Sequence, residues 1–198
     1  MPADRRDLRR RLFALAAEQG GYFTAAQARE VGYSYQAQAH HVGAGNWLRT
    51  ARGIFRLAEW VPDLHDDLAR WTLWAKGQGV VSHETALSVH EIGELESPRV
   101  HLTVPAGFTS RDNAVRLHFA ELPAADTVRR PGFRVTTPLR SLVDVAASGV
   151  DEDQLARAIT QATTRGLVSV RRLRTRAESI DVTAALRIER ALGQAENP

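Results

Sequence analysis

The apolar positions at the start of the chain repeat with a helical period and then switch to an extended one. Leu8, Leu12, Leu15 and Ala16 recur at helical spacing, with Arg5, Arg6, Arg9 and Arg10 mostly on other faces. This predicts a helix from about Asp4 to Glu18, ended by Gly20-Gly21. Tyr22-Phe23 reads as a short extended stretch, and Thr24 with Gln27 three residues on makes a capping box for a second helix, Ala25 to Glu30, that buries Ala28 and Val31. Gly32 stops that helix, Tyr33-Ser34 turns the chain, and Ser34 caps a third helix, Tyr35 to Val42, which Gly43 terminates. Trp47–Ala51 and Ile54–Leu57 are β-prone runs joined by Arg52-Gly53, where glycine permits the positive φ of a tight hairpin. Two short helices across a glycine turn, followed directly by a hairpin, predict a winged helix-turn-helix.

Pro62-Asp63 marks a boundary, so the chain divides into a DNA-binding module at 1–60 and a second domain at 61–198. In the second domain Asp63 is expected to cap a helix carrying Leu64, Leu68, Trp71 and Ala75, with Val80-Val81 a strand and Ser82 the cap of a helix to about Glu91. Residues 100–104, 115–119 and 133–135 alternate as strands. Thr137-Pro138 opens a helix to about Ala147, Asp151 another to Arg165, Ser169 an arginine-rich one, and a last helix follows Asp181. The fold class is therefore α+β: an N-terminal winged helix-turn-helix followed by a second α+β domain with a small sheet and several helices.

Charge sharpens the division. Residues 1–60 hold nine Arg against five acids, residues 61–122 five basic residues against nine acids, and residues 123–198 twelve Arg against nine acids. A basic head on an acidic middle suits a DNA-binding end attached to a body that does not bind DNA. The whole chain is 43% hydrophobic and 25% charged, enough to pack a core. It has no cysteine, which excludes disulfides and thiolate chemistry. No apolar run reaches about 18 residues and the basic N-terminus leads into no apolar stretch, so a soluble, cytoplasmic protein without membrane association is expected.

In a winged helix-turn-helix the third helix presents its N-terminal residues to base edges in the major groove. Here these are Ser34, Tyr35, Gln36 and Gln38, with His40 and His41 further along. Gln pairs bidentately with adenine and Ser reads several bases, and neither Gln36 nor Gln38 has an evident reason to be buried. Tyr35 could equally pack in the core, and His41 could end the helix in solvent. Arg49, Arg52 and Arg56 lie on the wing, suited to phosphate or minor-groove contact, and Arg5 and Arg9 on the first helix can add phosphate contacts.

Catalytic motifs are missing. Lys76 is the sole lysine and Trp74 stands where a PD-(D/E)xK nuclease needs its acid. There is no G-x-S-x-G elbow, Walker A sequence or G-x-G-x-x-G run. His83 and His90 could share a helix face beside Glu84 and Glu91, but no third ligand has a clear spacing, and His101 and His118 are expected to face solvent from their strands. No enzyme activity, cofactor or metal is expected. On the helix after Pro138, Arg140 and Asp144 are four apart and would pair on its surface, and Arg171–Arg176 would form either a solvated face or a second phosphate-contacting patch.

The winged helix ending in Arg52-Gly53-Ile54-Phe55-Arg56-Leu57 resembles the N-terminal domain of AbiEi-family antitoxins, and the blocks at 82–87, 100–105 and 135–144 look like the domain that follows it in that family. Thr136-Thr137-Pro138-Leu139-Arg140-Ser141-Leu142-Val143-Asp144 is the most distinctive of these. The resemblance implies an antitoxin of a type IV toxin–antitoxin, or abortive-infection, system in bacteria. Its winged helix would bind double-stranded DNA at repeats upstream of its own operon and repress it. Its partner in function would be a nucleotidyltransferase-like toxin, countered without a stable complex. The residues leave one alternative of another class, a ligand-responsive winged-helix regulator unrelated to a toxin, which would need a deep apolar pocket in the body.

Overall fold

A computed structural model describes residues 4–95 and 97–196. The chain splits into two compact units, residues 1–78 with Arg130–Phe133, and residues 79–129 with 134–198. The unit that holds the winged helix thus runs past residue 60 to take in one further helix.

In the first unit the element order is α1 (Arg5–Ala17), β1 (Tyr22–Thr24), α2 (Ala25–Val31), α3 (Tyr35–Gly43), β2 (Trp47–Ala51), β3 (Ile54–Leu57) and α4 (Asp66–Trp74). The caps read from the sequence are present. Asp4 accepts from the Arg6 amide, Ser34 from Ala37, and Thr24 and Gln27 exchange both capping-box bonds at 3.1 and 2.8 Å. The sheet is antiparallel in the order β1-β3-β2, with Phe23 opposite Phe55 and Trp47 opposite Leu57. That register puts Phe23, Phe55, Trp47 and Leu57 on one face, where they bury Leu12 and Ala16 of α1, Ala28 and Val31 of α2, and Tyr33. Phe23 meets the Trp47 ring edge-on at 4.8 Å, a favoured aromatic geometry. Tyr22 and Ile54 point to the other face and pack on Ala69 of α4. Gly21 is required: its φ is +79°, and a Cβ there would lie 2.3 Å from the Trp60 ring.

Helix α4 begins two residues later than expected, with His65 rather than Asp63 at its N-cap. Asp63 spends its carboxylate on the adjacent Leu64 amide, and Asp66 accepts from Trp60 Nε1 at 2.7 Å and from the Asp63 amide at 2.8 Å. Those local bonds hold 63–65 outside the helix and leave Leu64 78% exposed instead of on its apolar face.

The second unit contains β4 (Val80–Val81), α5 (His83–Val89), β5 (Val100–Val104), β6 (Val115–Phe119), β7 (Thr127–Arg130), β8 (Phe133–Thr136), α6 (Pro138–Ser148), α7 (Glu152–Thr164), α8 (Val170–Ile180) and α9 (Val182–Glu196). Strand β7 was not legible: Thr-Val-Arg-Arg has one apolar residue and no alternation. The sheet order is β6-β5-β4-β8-β7, with β5 parallel to β6, β4 antiparallel to β5 and parallel to β8. The helices bury a core that includes Leu87, Leu142, Val143, Leu155, Ile159, Leu173 and Ile188.

Arg140 and Asp144 pair, but not on a helix surface. Arg140 is 7% and Asp144 6% exposed. Arg140 Nε donates to Asp144 at 2.7 Å and Nη1 to Asp126 at 3.0 Å, and Asp126 also accepts from Arg176. Burial carries the Asp144 carboxyl up to about 6 against the opposing pull of Arg140. The arginine-rich α8 is therefore only partly a solvated face: Arg176 reaches Asp126, and Arg174 makes a two-pronged pair with Glu189 at 2.7 and 3.1 Å, while Arg171 and Arg172 are exposed. Among the described residues no helix is long and apolar enough to cross a membrane.

Candidate nucleic-acid interface

The N-cap at Ser34 sets the rotation of α3, and that rotation decides which side chains are presented. Tyr35 is 64% exposed, and Gln36 and His40 are exposed as well. Tyr35 is not a core residue. The Arg29 guanidinium lies 4.9 Å over its ring and Nη1 donates to its hydroxyl at 3.2 Å, which holds the phenol at the solvent-facing start of α3. Arg29 was missed in the sequence reading. Its signal is its place in the last turn of α2, six residues before Tyr35, across a turn that reverses the chain. Ser34 is exposed, but its hydroxyl is committed to the Ala37 amide at 3.2 Å.

Gln38 does not face solvent, contrary to the reading of an exposed base reader. It is 3% exposed, and its Nε2 donates to the Ala25 carbonyl at 3.1 Å and the Tyr33 carbonyl at 3.2 Å. Two positions after Gln36 the helix has turned by about 200°, so the two glutamines take opposite roles. The buried amide fastens α3 to the start of α2 and to the turn between them. His41 is half-buried and committed within the module. Its ring stacks on Trp47 at 4.8 Å with 12° between planes, and Asn46 Nδ2 lies 3.3 Å from its Nδ1. Burial, then the charge of His40, holds its pKa below the ordinary histidine value. This ring joins α3 to the base of the wing.

The wing turn is tied to the helices, since the Ala25 amide donates to the Gly53 carbonyl at 2.9 Å. Gly53 adopts φ +71°, as the hairpin requires. Arg52 is exposed at the tip. Arg49 stands opposite Phe55, hence on the sheet face that carries α3, with its guanidinium 5.5 Å over that ring. Arg56 is one residue out of phase. It projects from the other face, half-buried over Tyr22 at 5.9 Å, and its Nε is buried without a hydrogen-bond partner. The pleat therefore separates Arg56 from Arg49 and α3.

Beside α3 an open groove of about 660 Å³ is lined by Arg5, Arg9, Ser34, His40 and His41 among others. Arg9 meets Glu59 there at 2.7 Å, an exposed pair of little energetic weight that a phosphate can displace. The structure thus leaves Tyr35, Gln36 and His40 exposed on α3, sets Arg5 and Arg9 with His40 along one groove, leaves Arg49 and Arg52 exposed on the wing, and takes Gln38 and Arg56 off that surface.

A three-helix module with a β-wing, whose third helix offers polar side chains beside arginines, defines a winged-helix DNA-binding fold. Residues 10–58 match the family model described as a transcriptional regulator, AbiEi antitoxin, so the family resemblance is borne out over the winged helix. Over that segment the chain is similar to a DNA-binding transcriptional regulator of the antitoxin class. Among solved structures, the crystal structure of the RV2827C protein from Mycobacterium tuberculosis matches with a TM-score of 0.62 and 16% sequence identity, over 97% of this chain and 79% of that one. At that identity the match shows a shared α+β fold. No curated protein matches.

Proposed function

We propose that the chain is a DNA-binding antitoxin of a type IV toxin–antitoxin system. Its winged helix represses its own operon by binding repeats upstream of it, and the residues after the winged helix counter a nucleotidyltransferase-like toxin without forming a stable complex. The observation that carries the DNA-binding part is the exposed Tyr35–Gln36–His40 end of α3, with Arg5 and Arg9 across one groove and Arg49 and Arg52 on the wing. Tyr35, Gln36 and His40 contact base edges, and the four arginines contact phosphates or the minor groove. Gln38, His41 and Arg29 hold the frame. The family match supports the antitoxin part, and no catalytic step is assigned.

Band-shift titrations on the upstream region at two salt concentrations test this reading. Four phosphate contacts correspond to a slope of log K against log salt of about −3 to −4. Equal affinity for the upstream region and for unrelated DNA sinks the repressor reading. Co-expression with the neighbouring toxin gene tests the second half: a chain with Arg5, Arg9, Arg49 and Arg52 all replaced by alanine, shown by band shift no longer to bind DNA, still rescues growth if neutralisation resides after about residue 62.

A further inference from the structure

His83, read as sharing a helix face with His90, and His101 and His118, read as facing solvent, instead meet in the second unit. His101 on β5 and His118 on β6 lie on the same sheet face, because β5 and β6 are parallel and Thr103, two residues after His101, stands opposite His118. His83 comes to them from the first residue of α5, directly after β4. It holds a φ of +54°, a left-handed conformation that non-glycine residues adopt at a cost and that clusters at functional sites. One ring nitrogen of each histidine lies within 4.8 Å of the other two. His101 is 1% exposed and His83 is also buried, while His118 is half-buried on the side that solvent reaches.

Two features separate this cluster from ordinary core histidines. First, one nitrogen on each of His83 and His101 is tied to a hydroxyl; the His83 ring stacks on His118 with centroids 3.4 Å apart and 16° between planes, so it must tilt before its other nitrogen can share an ion with His101 and His118. His83 Nδ1 is 2.9 Å from Ser82 Oγ, and His101 Nε2 is 3.0 Å from Ser97 Oγ, so hydroxyls fix these nitrogens in the manner of the outer shell of a metal site. Second, His101 Nδ1 and His118 Nε2 face each other at 3.2 Å. A tetrahedral zinc with bonds of about 2.0–2.1 Å spaces its ligand nitrogens at about 3.3 Å. Glu84 Oε2 lies 2.7 Å from His101 Nδ1 and supplies a carboxylate beside the same centre.

We propose that His83, His101 and His118 bind a divalent transition-metal ion, with zinc the best fit. Three imidazoles select zinc and its borderline neighbours over magnesium or calcium. The ion would cross-link α5, β5 and β6. Three protein ligands leave a fourth place for a water or for Glu84.

The test uses the full chain, stripped with chelator and titrated with Co²⁺ and with Zn²⁺. Expected are one equivalent of metal per chain, the intense visible bands of tetrahedral cobalt, their loss when zinc is added, and a rise in Tm with zinc but not with magnesium. His118→Gln and His83→Gln should lose the cobalt bands, whereas His40→Gln, on the exposed face of α3, should keep them. Circular dichroism on the same samples confirms that each variant is folded. If a variant does not fold, the wild-type cobalt spectrum decides alone. Wild-type chain with no tetrahedral bands, or bands that persist in folded His83→Gln and His118→Gln, overturns the proposal and leaves a histidine–Glu84 hydrogen-bond network in its place.

Discussion

Replacing Gln38 by alanine separates a buried tie from a base reader. In the wild type the Gln38 amide donates two hydrogen bonds, at 3.1 and 3.2 Å, to the carbonyls of Ala25 and Tyr33. Each is worth about 1 kcal/mol net, and removing the buried chain beyond Cβ costs about 1 kcal/mol more. The expected loss is about 3 kcal/mol, or about 10 °C in Tm for a chain of this size. Unfolding followed by tryptophan fluorescence measures it through Trp47, which lies in the same core. Below the new transition, Gln38→Ala should still discriminate the same operator base pairs as wild type, because no Gln38 atom reaches the α3 surface. A variant that keeps its Tm within about 2 °C and loses about 1–3 kcal/mol of discrimination at one base pair would refute the reasoning and return Gln38 to the major groove.

Other perturbations address different parts of the molecule. Arg52→Ala should leave Tm unchanged, weaken binding to all DNA sequences and reduce the salt slope by about 1, read from band shifts at several salt concentrations. Asp126→Asn leaves the buried Arg140 with Asp144 alone and releases Arg176, so a loss of about 3–5 kcal/mol is expected in denaturant unfolding, far above that of a surface pair. In chelator, the unfolded chain protonates His83 and His118 near 6.5 while burial keeps the folded values near 2 and 4, so stability should fall as pH drops from about 6.5 towards 4. Asp144, held up to about 6 by burial, works in the opposite sense between about 4 and 6. The diagnostic is the difference: His118→Gln should make the acid-side fall in Tm shallower than in wild type, and an identical pH profile would contradict the assignment.

Short-range chemistry made the winged helix legible. Its caps, its turn glycines and the switch in apolar period each act over three or four residues, so Thr24 with Gln27, Ser34 and Gly53 stand where their local signals put them. The same reasoning located the helices after Thr137, Asp151 and Ser169. It could not tell Gln36 from Gln38, because both are polar and lie two positions apart on a helix of mixed composition. The difference arises from where the Ala25 and Tyr33 carbonyls stand once α2 and α3 cross. Arg56 left the interface for a similar reason: the sheet pleat, set by pairing with β1 and β2, decides its face. The burial of Arg140 and Asp144 depends on Asp126, fourteen residues before Arg140, and on Arg176 from another helix. Nor does any spacing join His83, His101 and His118, since no helix or strand holds two of them. Only the parallel pairing of β5 with β6, and the return of the chain from β4 into α5, places three imidazoles within reach of one ion.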